Sequence, residues 1–167
     1  MTSPLDGRTT INFLIGRGSR ERVEGSAVSE SATTIADRAA RRLLTAEGGL
    51  AAGDPEGALA AAYDAYPMAA EALLICQGLR STGGEGSHVT VEDAISAQFA
   101  RLIPGFAKPT FERLRRTRHS VQYFDPSGPD INADDAMWAI STARNAVEAV
   151  VRMLRDDPPS LFLSPPT

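Results

Sequence analysis

The sequence predicts an all-α fold, an up-and-down helical bundle of about five helices with loose N- and C-terminal tails. Alanine is abundant while aromatics make up only 6% of the 167 residues, a composition that suits close-packed helices over a β-sandwich. Apolar residues recur at three- and four-residue spacing over stretches longer than a strand. Between those stretches stand helix start and stop signals: Asp54-Pro55, Pro104-Gly105, and Asn132 followed by Asp134 and Asp135.

Residues 1–28 read as a flexible tail. Ile11, Phe13, Leu14 and Ile15 form a short apolar run, enough for a docking segment, but glycine, serine and charge surround it. A first helix is expected over 31–47, with Ile35, Ala39, Leu43 and Ala46 facing the core and Gly48-Gly49 as the stop. Asp54 caps a second helix with Pro55 at its first position, running to about Gly78. Pro67 removes an amide inside it and predicts a kink. Residues 81–87 are a glycine-rich connection. They lack the Gly-Lys-Ser/Thr ending of a phosphate-binding loop, and no strand is predicted before them. Thr90 with Asp93 has the spacing of a capping box for a third helix ending near Ile103. Pro109 opens a fourth helix, residues 125–129 form a turn, and Asn132 caps a fifth over 133–156. Its buried stripe is Ile140, Ala143, Val147, Val150, Val151 and Leu154. Pro158, Pro159, Pro165 and Pro166 mark a frayed end.

Composition narrows the chemistry. The chain is long enough for one domain with a core. Its single Cys76 rules out an internal disulfide framework and fits a reducing compartment, and a cysteine near an apolar helix end reads as packing. One cysteine and two histidines do not make a zinc site, and the acids are scattered without metal-ligand spacing. No cofactor is expected. No run approaches the ~20 apolar residues of a membrane span, and no basic-then-apolar leader opens the chain, so a soluble cytoplasmic protein is expected. A formal charge of −4 argues against broad nonspecific nucleic-acid binding but leaves room for a local basic groove.

That groove has one candidate. Lys108, Arg113, Arg115, Arg116 and Arg118 face a single anion, Glu112, within the fourth helix. Phe111, Leu114 and Val121 share one face at ~100° per residue, and Arg118 falls on that stripe. A guanidinium there is either a site residue or a buried arginine paired with Glu71 or Asp64 on the second helix. His88, just before a helix start, reads as a capping or packing residue.

From the Ala62-Tyr63-Asp64-Ala65 stretch, through Ala70-Glu71-Ala72-Leu73-Leu74, His88 and Phe106, to Leu114–Phe124 and the 139–154 helix, the chain resembles the HEPN (higher eukaryotes and prokaryotes nucleotide-binding) family, in its actinobacterial stand-alone form. The resemblance covers about residues 30–156. It implies a homodimer with a cleft at the interface, binding RNA or a nucleotide. Active relatives are metal-independent ribonucleases with four to six residues between an arginine and a histidine. The histidine handles a proton of the ribose 2′-hydroxyl and the arginine stabilises the charged phosphorane. By position, Arg118 matches the family arginine, His119 the polar residue after it, and Tyr123 stands where the histidine is found. The resemblance thus assigns Arg118, His119 and Tyr123 as catalytic, with Arg113, Arg115 and Arg116 binding nucleic acid. A phenol with a pKa near 10 is a poor general base at neutral pH, so binding is expected ahead of cleavage. Arg113 and His119 satisfy the loose spacing as well. Residues five apart sit ~140° round a regular helix, so Arg118 and Tyr123 converge only through a loosened last turn or a partner chain.

Two rivals come from other classes. One is a non-catalytic interaction module whose fourth helix docks a protein such as a nucleotidyltransferase-type antitoxin. The other is a nucleotide sensor without turnover. RNA or nucleotide binding requires the arginines along one concave groove. A docking module spreads Arg113, Arg115 and Arg116 over a flat or convex face beside exposed apolar residues.

Overall fold

A computed structural model describes residues 7–25, 27–83, 87–123 and 125–161. Among them are six α-helices and one two-stranded sheet, in the order α1 (Arg8–Gly16), β1 (Arg20–Arg22), α2 (Ala27–Ala51), α3 (Pro55–Cys76), β2 (Leu79–Ser81), α4 (Ser87–Phe99), a 3₁₀ turn (Pro104–Phe106), α5 (Lys108–Gln122) and α6 (Ala133–Asp156). The all-α bundle expected from the sequence is the observed architecture.

Helix α3 is the centre. It packs along α2, against α6, and touches α4 and α5. Against the expectation that no run is long and apolar enough for a membrane span, α3 is so by length and composition, and here much of that apolar surface forms the core: Leu59, Tyr66, Leu73 and Leu74 are essentially inaccessible. Alanines 36, 39, 46, 58, 62, 65 and 69 are buried too, and small side chains let helix axes approach closely. Gly49 belongs to that contact. A Cβ there would stand 3.3 Å from the Ala58 nitrogen. Gly48-Gly49 therefore does not stop the first long helix, which runs to Ala51; tertiary packing outweighs glycine's weak helix propensity.

The caps closest to local chemistry follow the sequence. Asp54 accepts from the Gly57 amide at 2.8 Å, and α3 continues through Pro67 as a single helix. Asn132 and Asp135 form a reciprocal capping box at the start of α6. In the 125–129 turn, the Ser127 amide and hydroxyl both donate to Asp125 Oδ1, which holds that carboxyl below its usual range. Thr90 differs. It lies inside α4, which already begins at Ser87, and its hydroxyl donates to the Ser87 carbonyl at 2.8 Å. Helix α4 ends at Phe99, short of Ile103, and the chain tightens into the 3₁₀ turn. In the glycine-rich connection Ser81 belongs to β2 and Ser87 to α4, while residues 84–86 lie outside the described residues.

The described parts of both predicted tails pack on the bundle, against expectation. Residues 8–22 form α1 and β1, with Ile11 and Leu14 wholly buried, α1 against α4. Gly7 opens α1 at φ 81° where a Cβ would meet Gln98 Cγ at 2.8 Å. Strand β1 runs antiparallel to β2, with Arg20 opposite Ser81 and Arg22 opposite Leu79. A nine-residue helix with two buried residues has no periodicity to read, and only its packing stabilises it. At the other end Pro159 is buried, Leu161 packs on the core, and Gln77 Nε2 donates to the Ser160 carbonyl at 3.2 Å. Residues 1–6 and 162–167, with Pro165-Pro166, lie outside the described residues.

Candidate functional site

Helix α5 is held by an aromatic cluster. Phe111 and Leu114 are its buried residues. The Phe111 ring meets Tyr66 of α3 edge-on at 4.8 Å, and Phe106 stands 5.4 Å from Tyr66. The Tyr66 hydroxyl donates to the Gly105 carbonyl, fixing the turn that launches α5. Burial, reinforced by Glu92, pushes the Tyr66 phenol far above its ordinary range. With Phe111 and Leu114 directed inward, the cations are distributed round the rest of the helix.

Two of them are bound by acids of α4. Lys108 Nζ lies 2.8 Å from Asp93 Oδ1, and Arg115 Nη1 lies 2.5 Å from Glu92 Oε2, whose side chain is only 8% exposed. The hydrogen bond to Glu92 raises the Arg115 pKa. Glu92 is a buried acid that this arginine satisfies, a structural role as much as a binding one.

Arg118 lies on the same flank. It is half-buried, and among the described residues it makes no hydrogen bond or ion pair. Glu71, one partner expected for it, is bonded to Arg20 instead. Arg118 and Arg115 both act on the Tyr63 phenol: burial raises its pKa while the two guanidiniums oppose that rise. Tyr63 and His88 line a cleft of about 430 Å³ between α2, α3 and α4, with Ile35, Asp64 and Met68. His88 lies within α4 and is exposed, so it neither caps that helix nor packs in its core.

His119 and Tyr123 pair elsewhere. Their rings stand 4.5 Å apart, and Tyr123 leaves the helix in an extended conformation while its amide still donates to the His119 carbonyl. His119 shares a shallow depression with Glu112, Arg115, Arg116 and Ser120. Arg118 does not line it. The structure therefore brings together two of the three residues assigned as catalytic and sets Arg118 on the flank toward Tyr63. The six-residue spacing of Arg113 and His119 is not matched by proximity either. Arg113 lies on the opposite flank, its guanidinium 3.7 Å over the Trp138 ring of α6.

The arginines do not line one concave groove: Arg113 faces α6, Arg118 lies toward Tyr63, and only Arg115 and exposed Arg116 share the shallow depression beside His119. Three residues that shape this surface escaped the sequence reading, namely Tyr63 as a neighbour of Arg118, Glu92 as the partner of Arg115, and Trp138. Trp138 is the sole tryptophan of an aromatic-poor chain, and that rarity was the available signal. Among the described residues no group of three His, Cys, Asp or Glu is placed to hold a metal. No family model, curated protein or solved structure matches the chain.

Proposed function

We propose that the chain is a HEPN-like RNA-binding protein that works as a homodimer in the cytoplasm and holds RNA along α5. The observation that carries this reading is a charge imbalance. In a chain with 21 acids and 17 lysines and arginines, Arg113, Arg116 and Arg118 have no carboxylate partner among the described residues, although they lie within six positions. Arginines left without acids on one short helix are equipped for phosphate. In one copy the arginines spread round α5 as a docking module would spread them, so this reading needs the facing surface of a second copy to complete the groove, which is the use it makes of a dimer. His119 and Tyr123 then contact ribose or phosphate. Binding without efficient cleavage is the activity proposed, since a tyrosine stands in the general-base position.

The test is equilibrium binding of labelled single-stranded RNA in EDTA over a range of salt. Affinity should fall with salt at a log–log slope of about −0.7 per phosphate contacted. The Arg116→Ala/Arg118→Ala pair should flatten that slope by roughly two contacts, with the RNA staying full-length. RNA shortening that disappears in Arg118→Ala would add ribonuclease activity. Absence of binding at low salt ends the RNA reading.

A second reading, a module that docks another protein through α5, is favoured by Leu102 and Tyr123. They stand 54% and 58% exposed, before and after the arginines in the chain. Binding of a protein partner there would be weakly salt-dependent and lost in Leu102→Ser.

A further inference from the structure

The flank of α5 that faces α6 opens into a groove of about 680 Å³ that Arg116, Arg118, His119 and Tyr123 do not line. One wall is a stripe of α6: Trp138, Thr142, Asn145, Ala149 and Arg152. Their spacing of four, three, four and three puts them on one helix face. Fourteen residues at ~1.5 Å each make that stripe about 21 Å long. The other wall is Leu102–Gly105 with Pro109, Thr110 and Arg113. The site is a trough, suited to a chain more than to a compact anion.

Its chemistry is one-sided. Two arginines, two threonine hydroxyls, an asparagine amide and an indole line it, and no carboxylate does. Asp156, one turn beyond Arg152, feels that arginine's charge but is hydrogen-bonded to Arg155. Arg113 is already ordered over the Trp138 ring. A guanidinium held by its face keeps its edge N–H donors for an oxyanion and loses less rotamer freedom when one arrives. The same groove is lined by exposed Leu102, by Pro104, and by Ala149, which packs in part on the core.

We propose that this α5–α6 groove is the track for a single-stranded RNA segment, with phosphates on Arg113 and Arg152 and bases against Leu102 and Trp138. The proposal rests on the RNA-binding reading and adds the strand form and a second stretch of path, on the α6 flank of α5 and distinct from the surface of His119 and Tyr123. Alternation of anionic and flat apolar groups along ~20 Å matches an unpaired oligonucleotide, whose base faces are free to stack. A duplex keeps those faces within its own stack and can offer the groove only phosphates.

Because Trp138 is the chain's one tryptophan, its fluorescence reports on this groove alone. The full-length protein is titrated with unlabelled oligouridylate while Trp138 emission is read, and separately with end-labelled oligouridylate while anisotropy is read. We expect both signals to change at one midpoint. Arg152→Gln, exposed and fourteen residues from the fluorophore, should weaken both about tenfold, and a duplex of equal length should bind at least tenfold more weakly. If anisotropy rises while Trp138 stays silent and Arg152→Gln binds like wild type, the groove is not the track and RNA binding still stands. If anisotropy does not change at low salt, RNA binding itself fails and the track with it. A Trp138 response to polyglutamate as large as that to RNA would assign the groove to acidic peptides and overturn the proposal.

Discussion

Arg20 and Glu71, fifty-one residues apart, meet through two parallel hydrogen bonds, Nη1 to Oε1 at 2.8 Å and Nη2 to Oε2 at 3.0 Å. The arginine side chain is fully enclosed and the carboxylate is 22% exposed. This pair pins β1 to α3 and carries the N-terminal segment onto the bundle. It also occupies Glu71, an acid expected to pair with Arg118.

The asymmetry in burial gives a ranked prediction. Glu71→Ala strands a buried guanidinium, whose Nε already lacks a partner among the described residues, and should cost about 3–5 kcal/mol. Arg20→Met leaves a carboxylate that reaches water, and should cost less. Urea unfolding of both variants checks the order; equal losses would remove burial as the cause.

Docking of α1 is tested by Ile11→Ala. A wholly buried isoleucine truncated to alanine should lower stability by about 2–5 kcal/mol, whereas a residue in a solvated tail would cost almost nothing. Chemical denaturation reads the difference directly.

Tyr66 predicts an alkaline limit. Its folded pKa is raised, so its contribution is complete below the unfolded value near 10 and is lost as pH rises beyond it, because the unfolded chain ionises first. Tyr66→Phe gives up the hydrogen bond to Gly105, at about 1 kcal/mol near neutrality. It should also flatten the decline in stability above about pH 10. Thermal melts of both proteins across pH 8–11 decide it.

Arg115 and Arg116 are adjacent in sequence and should behave differently. Arg115→Ala leaves the buried Glu92 carboxylate unpaired and should cost about 1–3 kcal/mol of stability. Arg116→Ala, on the open ridge, should change stability by under about 0.5 kcal/mol while weakening RNA binding. Melting curves run beside binding isotherms separate the two. A large stability loss in Arg116→Ala would show that it is bonded within the fold.

The sequence by itself determined what rests on neighbours a few residues away. The Asp54 and Asn132 caps, Pro109 at the start of α5, and the buried Ile140, Ala143, Val147 and Val150 of α6 each depend on hydrogen bonds or spacing within one or two turns, whereas Val151, expected on that stripe, is 38% exposed. The cationic character of α5 was equally legible, being a matter of composition. Tertiary structure decided whatever depends on elements meeting. Gly49 stays helical because Ala58 packs on it, and α1 forms because α4 covers Ile11 and Leu14. The arginines of α5 divide because Glu92, Tyr63 and Trp138 come from three different helices. A guanidinium's role is set by the charge and burial around it, and those are fixed only when distant segments pack together.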